Sequence, residues 1–455
     1  MSAPPTDVVD PLARLAARAP STGLDPDALW SRGRRRQRGR VLVALAAAVV
    51  VAVGGAAAGP DLLAQAQEVQ VAGTADPWVL PDLVREPGGW EGAFPAAPGR
   101  LSAVGFGQRS GLWSTRGAWW GVSAATGESR FLELPGAADA VDAPVLSADG
   151  WRLAYWVTGD VPGEPLSMGA PTDDDVDPVV GVAVLDLRTG DRRAWTLDTE
   201  HGLATGGLAW TGEVLWWSAG TLSRSGESGL LGSDIVARKW DVAADRRVEP
   251  SGPESRVWPD NARSAPGGFV EYPRRHRLVV VTDAGRRVLR AVLPDGSPRS
   301  AGLLSATLAP DGSRVVALLR PDANVATSQP QQLVVGRVDG ATVRLEPVPG
   351  ATAGDVLGWR SPTEVVVASL AEVEEGRPSE ALEASTVDLV TGERSRVLTF
   401  SGTTPQVAAD AWSAAVVPAP GAPLAPDPRW IGVGVLLAAL TGWRLLVWRR
   451  RRERA

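Results

Sequence analysis

The sequence predicts an all-β protein, built from repeated four-stranded antiparallel units and set between two apolar helical segments. Three observations predict it. A short phrase occurs twice almost intact: Leu146–Trp156 reads L-S-A-D-G-W-R-L-A-Y-W and Leu308–Leu318 reads L-A-P-D-G-S-R-V-V-A-L. From about Leu101 to Val417, short apolar runs alternate with Gly, Asp and Pro turn signals. Two long apolar stretches flank that region, each bordered on one side by arginines.

The phrase is a hairpin in sequence form. Asp149 and Asp311 can accept hydrogen bonds from backbone N–H groups just ahead, and Gly150 and Gly312 supply the positive φ that closes the turn. One hairpin cannot bury its own apolar face, so a series of them implies stacked repeats. Degraded copies lie at Leu208–Ser218, Val356–Ser369 and Val407–Val417. A second hairpin type carries a Thr-Gly turn, at Val182–Trp195 and Val387–Leu398, with weaker versions at Trp119–Leu134, Ala237–Val248, Leu278–Leu293 and Leu333–Val348. One hairpin of each type makes a four-stranded antiparallel sheet, a propeller blade of ~40–50 residues. Five pairs can be drawn. Two halves, at Trp113–Leu134 and Val407–Val417, would join to close a ring of six blades; seven is the alternative.

The L-S-x-D-G-x-x-L-A-Y phrase followed by V-x-x-x-D-L-x-T-G resembles the TolB-type and WD-repeat-like β-propellers over about 300 residues. The resemblance implies architecture. It does not imply an activity, because binding platforms, secreted scaffolds and accessory domains of peptidases share it.

Read in order, residues 1–40 form a basic leader with eight Arg against four acids. Val41–Ala58 has no charged or hydrogen-bonding side chain and would span ~27 Å as a helix, the thickness of a bilayer core. A cleaved signal peptide is the rival reading of 41–58. Residues 59–100 read as a Pro/Gly-rich tether, with a short helix at Asp61–Val71. The propeller is expected over 101–417 and a Pro-rich stalk over 418–428. A second transmembrane helix is expected over 429–448, with Trp430, Trp443 and Trp448 at its interfaces. An Arg-rich tail follows at 449–455. The arginines flank the same side of both helices, which places both termini in the cytoplasm and the propeller outside the plasma membrane. Lys239 is the only lysine, the habit of a GC-rich genome such as an actinobacterium.

The net charge of −6 is segregated, with basic ends and an acidic middle. That balance speaks against nucleic-acid binding by the middle. With no cysteine, disulfides, thiolate catalysis and Cys-ligated metals are excluded. No nucleophile elbow, phosphate loop or dinucleotide fingerprint occurs. His201 and His276 lack a partner at metal-ligand spacing. No catalytic residue, cofactor or metal is expected, and the chain reads as a non-enzyme. The insertion Gly159–Pro178 is a candidate binding loop, with Met168 near an apolar centre and Asp173, Asp174, Asp175 and Asp177 on one side. The acids lack the ordered spacing of a calcium loop. Nineteen Trp fall largely in or beside strands. Alternation turns the members of Trp119–Trp120 and Trp216–Trp217 to opposite faces, so partly exposed rings are expected.

The functional expectation is a membrane-anchored binding or sensing scaffold of the cell envelope, whose partner is an envelope protein or glycan. Two alternatives stand beside it. The short leader, single helix and external domain resemble membrane-bound anti-sigma regulators, which implies a cytoplasmic protein partner for residues 1–40, although the zinc-binding His and Cys of that family are missing. A propeller enzyme of lactonase or glycosidase type would need carboxylates at the ring axis.

Overall fold

A computed structural model describes residues 78–138, 143–166, 177–225, 229–232, 235–259, 262–274, 276–322, 330–370, 381–402, 404–421 and 427–452. The chain divides into two compact units, Pro60–Asp427 and a second that contains the C-terminal helix.

The first unit is all-β, a propeller-like arrangement of six successive antiparallel meanders among the described residues. Two short strands, β1 (Val79–Pro81) and β2 (Leu83–Arg85), precede them. The first meander holds β3 (Leu101–Ser110), β4 (Thr115–Ser123) and β5 (Ser129–Phe131). The second holds β6 (Val145–Leu146), β7 (Arg152–Thr158), β8 (Val179–Asp186) and β9 (Arg192–Thr196). The third holds β10 (Leu203–Thr211), β11 (Val214–Ser225), β12 (Gly229–Gly232), β13 (Val236–Asp241) and β14 (Arg246–Val248). The fourth has β15 (Phe269–Arg274), β16 (Arg277–Thr282) and β17 (Gly285–Val292). The fifth has β18 (Gly302–Leu308), β19 (Arg314–Arg320), β20 (Gln331–Asp339) and β21 (Thr342–Ala353). The sixth has β22 (Asp355–Ser361), β23 (Glu364–Leu370), β24 (Ala381–Asp388) and β25 (Arg394–Ser401). Then come β26 (Gln406–Val407), a 3-10 turn at Ala409–Ser413, and β27 (Ala415–Val417).

Four sheets hold one meander each, and a seven-stranded sheet holds the fourth and fifth, joined by parallel pairing of β17 with β21. Both ends of the chain enter this scheme. Strand β26 pairs with β3 and completes the first meander as its innermost strand. Strand β2 pairs with β25 on the outer edge of the sixth, and β1 pairs with β27. Residues 78–100, expected as tether, are therefore partly woven into the ring: three residues suffice to pair when the neighbouring sheet offers an open edge.

Six apolar clusters occupy the six interfaces between successive meanders. Leu101, Trp119, Leu153 and Tyr155 join the first to the second. Trp156, Trp210, Trp217 and Trp240 join the second to the third. Trp216, Phe269 and Val281 join the third to the fourth. Leu278, Leu308 and Val315 serve the fourth and fifth, and Val316, Trp359 and Val365 the fifth and sixth. Trp120, Phe131, Val366, Phe400 and Trp412 bring the sixth back to the first. Middle strands such as β8 and β19 thus have apolar partners on both faces, which explains their near-continuous apolar text, whereas the outermost, such as β14, stay exposed. The ring is closed by side-chain packing between its ends as well as by the β26–β3 pairing.

This arrangement corrects the expectation of partly exposed Trp pairs. Trp119 and Trp120 are 7% and 2% exposed, and Trp216 and Trp217 are 1% and 0% exposed. The opposite face of a strand meets the next meander and not solvent. Two further expectations need correction. The third degraded phrase, Val407–Val417, is no hairpin but two short strands around the 3-10 turn, because its strands serve different partners. The expected helix at 429–448 is present as α1 (Pro428–Arg452), yet among the described residues no helix is long and apolar enough to cross a membrane. The expected span 41–58 and the helix Asp61–Val71 lie outside the described residues.

Candidate functional site: the axial cavity

The innermost strands point at the ring axis. In the first meander the inner strand is two residues long, as it is in the second. In the fourth no inner strand occurs among the described residues. The segment Ala262–Ala265 takes its place, held by a single parallel bridge from Ala265 to Thr211 and by Ser264 Oγ accepting the Trp210 N–H at 2.9 Å. Strand β15 then contacts β18 directly. Short inner strands leave space, and a cavity of about 470 Å³ lies on the axis. Its apolar wall includes Leu208, Val270 and Leu304. Register shifts in β10 between Thr205 and Leu208, and in β18 between Leu303 and Ala306, fall at Leu208 and Leu304.

The polar groups of the cavity come from four different meanders. Arg263, from the irregular segment, pairs with Asp355 at the start of β22. Ser305 of β18 donates its hydroxyl to the same carboxylate. The Val356 N–H donates to Asp355 Oδ1 at 2.8 Å. Gln406 of β26 accepts the Leu146 N–H on Oε1 at 2.9 Å, which fixes its amide with the NH2 group unspent. Asp355 is the only carboxylate lining the cavity among the described residues, and it already accepts three hydrogen bonds.

The two ends of the ring differ. The turns Ala124–Glu128, Ser147–Trp151, Leu187–Asp191, Ala309–Ser313 and Leu389–Glu393 are tight and lie together at one end, because first-to-second and third-to-fourth connections share a side in an antiparallel meander. The ends of the second strands and the starts of the third lie at the other end: Thr158 and Val179, Ser225 and Val236, Arg320 and Gln331, Leu370 and Ala381. The first meander places there the hairpin tip Gly111–Ser114, with Trp113 96% and Leu112 46% exposed. Both chain ends of the ring sit at the tight-turn end. The Trp78 ring stacks at 3.8 Å from the Arg100 guanidinium and lies against Gly150. Pro420 lies beside Gly127, its carbonyl accepting from Arg85 at 3.1 Å, while the Ala419 N–H donates to Asp82 at 2.8 Å.

The residues singled out in the sequence fall elsewhere. Gly150 and Gly312 have φ of 66° and 69°. Asp149 Oδ1 accepts from the Trp151 N–H at 3.2 Å, and Asp311 Oδ1 from the Ser313 N–H at 2.9 Å. These hydrogen bonds hold Asp311 below the usual carboxylate range. The four residues shape turns on the tight-turn end and do not meet the cavity. Met168, Asp173, Asp174 and Asp175 lie outside the described residues; Asp177 is exposed. The first part of that insertion is docked: the Gly163 and Leu166 N–H groups donate to Glu200 and His201 carbonyls at 2.9 Å, and Leu166 packs on Ala204 and Leu222. His201 Nδ1 lies 2.9 Å from the Glu164 carbonyl, so its ring belongs to this docking. No group of three or more potential metal ligands occurs among the described residues.

A charged cluster stands where the chain closes. Asp410, in the 3-10 turn, is pushed above the usual carboxylate range first by burial and then by Asp149, against the pull of Arg100. Arg100 is itself lowered, mainly by burial between Trp78 and Trp151.

Sequence reasoning missed Arg263, Ser305, Asp355 and Gln406. One signal was present. Ser264-Ala-Pro-Gly-Gly-Phe269 is a worn copy of the repeated phrase, and its Gly268 N–H bonds the Ala265 carbonyl at 3.0 Å as Gly150 bonds Ser147 at 2.9 Å.

No protein-family model and no curated protein matches the chain. Among solved structures, it is similar to the periplasmic gluconolactonase of Pseudomonas aeruginosa, at 16% identity over 74% of this chain and 88% of that one, with a TM-score of 0.35. An oligogalacturonate lyase in complex with manganese is similar at 12% identity over 69% and 77% of the two chains, TM-score 0.35. The dipeptidyl peptidase 4 of Porphyromonas gingivalis is similar at 11% identity over 65% of this chain and 44% of that one, TM-score 0.35. Superpositions this loose do not bear on activity; the strand pairing and the six interfaces carry the fold.

Proposed function

We propose that the chain is a non-enzymatic binding protein of the cell envelope. It is a six-bladed propeller held at the membrane by its two ends. The placement of the ends carries this reading. Trp78 and Pro420 lie at the tight-turn end, so a short tether on each side leaves the opposite end, with Trp113 at its rim, free to meet a partner.

Membrane attachment is supported by the charge-free run 41–58 and by α1, where Leu436, Leu437, Leu440 and Trp443 are exposed and Arg449–Arg452 follow. Binding is favoured over catalysis by the state of Asp355. A general base works best with its carboxylate open to substrate, and Arg263, Ser305 and the Val356 N–H already fill three of the roughly four acceptor sites of this one.

The absence of cysteine makes the test direct. Single variants Trp113→Cys and Arg450→Cys are treated in intact spheroplasts with a membrane-impermeant maleimide. Labelling of the first and protection of the second are expected. Protection of Trp113→Cys, or labelling of Arg450→Cys, rejects the reading.

A further inference from the structure

We propose that the axial cavity binds a carboxylate, gripped by Arg263 and Gln406. The inference rests on the binding reading above and names the chemical class of the ligand.

The donor and acceptor inventory of the cavity points to it. Its one carboxylate among the described residues has three of its roughly four acceptor sites filled. Asp355 takes the Arg263 guanidinium, the Ser305 hydroxyl and the Val356 N–H. The unspent polar groups are donors. Arg263 bonds Asp355 through Nη2 alone, and a guanidinium carries five N–H donors and no acceptor. Gln406 is fixed by the Leu146 N–H on its oxygen, so its NH2 group is the free end. Thr404 adds a hydroxyl to the same lining. A site with donors to spare selects a ligand with acceptors to spare. A planar guanidinium beside an amide NH2 suits the two oxygens of a carboxylate, and charge-assisted hydrogen bonds of this kind are the strong ones.

The surroundings agree. Arg263 sits on the segment that replaces an inner strand, so no ladder of hydrogen bonds fixes its backbone beyond the bridge at Ala265. It can adjust its fork to a ligand while keeping Asp355. Asp355 then acts as a positioning residue that holds the guanidinium at the axis. Leu208, Val270 and Leu304 offer an apolar wall for the rest of the molecule. Two sources share this chemistry, a free organic acid and the C-terminus of a peptide.

The test uses the full-length protein and four probes: hexanoate, hexanamide, N-acetyl-alanyl-alanine and its C-terminal amide. Binding is read by ligand-observed NMR with titration. An acid is expected to bind at least ~10-fold more tightly than its amide, the scale of one lost charge-assisted hydrogen bond. Preference within the hexanoate pair identifies a free acid, and preference within the dipeptide pair a peptide end. Arg263→Gln should abolish the preference. Because it also strips Asp355 of its partner, Gln406→Glu is the second variant. It keeps an oxygen for the Leu146 N–H, replaces the donor end with a negative charge, and should abolish acid binding with an unchanged melting temperature. Val390→Ala, in an exposed tight turn away from the cavity lining, should bind as the parent does. Amides that bind as well as acids overturn the carboxylate while leaving an axial binding site. Acid preference that survives both variants overturns the assignment to Arg263 and Gln406. No saturable binding of either acid up to about 10 mM overturns the inference outright. None of these outcomes decides the membrane orientation, which the labelling experiment tests separately.

Discussion

Trp216 and Trp217 are neighbours in β11, and their rings are buried in different interfaces of the ring. Trp217 packs edge-on against Trp195 at 5.1 Å and Trp156 at 5.9 Å, on the side of the second meander. Trp216 meets Phe269 at 6.5 Å, on the side of the fourth. One dipeptide therefore ties three meanders together. Trp216→Ala and Trp217→Ala are each expected to cost about 3–5 kcal/mol, the scale of emptying a buried aromatic site. Trp113→Ala, at an exposed tip, should stay within about 0.5 kcal/mol. Urea unfolding of the three variants checks this; a Trp216 variant as stable as the Trp113 variant would contradict the interface.

The two repeat glycines should differ in their tolerance. A Cβ at Gly312 meets nothing within 4 Å, so Gly312→Val carries the backbone penalty of positive φ alone, about 1–3 kcal/mol. A Cβ at Gly150 would lie 2.3 Å from the Leu101 carbonyl oxygen and 2.8 Å from the Trp78 ring. Gly150→Val should melt well below Gly312→Val. Equal melting temperatures would show that the Leu101 and Trp78 contacts yield freely.

Gly163 belongs with the costly positions, although it sits in a loop with ordinary φ. A Cβ there would lie 2.7 Å from the Glu200 carbonyl oxygen and 2.7 Å from His201 Nδ1. Gly163→Val should release the docked start of the insertion. Hydrogen exchange at the Leu166 N–H, which bonds the His201 carbonyl, reads that release: faster exchange in the variant is expected.

Asp410 gives the fold a pH dependence of a defined sign. Its folded pKa lies above the unfolded value near 3.8. Between those two values the native state binds the extra proton, so this group makes stability fall as pH rises through the window, and the contribution is flat above it. Asp311 and Asp388 act oppositely. Their folded values are lowered by hydrogen bonds from Ser313 and from Thr391 and Val390, so the stability they add is lost as pH falls. Asp410→Asn should remove the first trend and raise the melting temperature at pH 7, since a buried charge beside Asp149 disappears. A lower melting temperature at pH 7 would mean that the pairing with Arg100 outweighs burial.

The sequence by itself determined the turns. Asp149-Gly150 and Asp311-Gly312 close hairpins through hydrogen bonds that span two or three residues, and the Thr-Gly turns after Asp186 and Asp388 do the same. Such contacts are written within a few positions of the chain, so the alternation of hairpins, and with it the repeat, could be read directly. That strands from both chain ends would meet was legible only in outline: the C-terminal end supplies the two-residue β26 to the first meander and not the hairpin expected at Val407–Val417, whose second strand pairs with β1. Only the tertiary structure decided which faces are buried. A Trp-Trp pair in a strand looks half exposed until a second meander stands on its far side. The cavity belongs wholly to that level. Arg263, Ser305, Asp355 and Gln406 sit on separate meanders and meet at the axis because six interfaces fix the ring's closure and, among the described residues, the fourth meander has no inner strand. Nothing local in the chain encodes a distance across a ring; it is set by how many units pack around it.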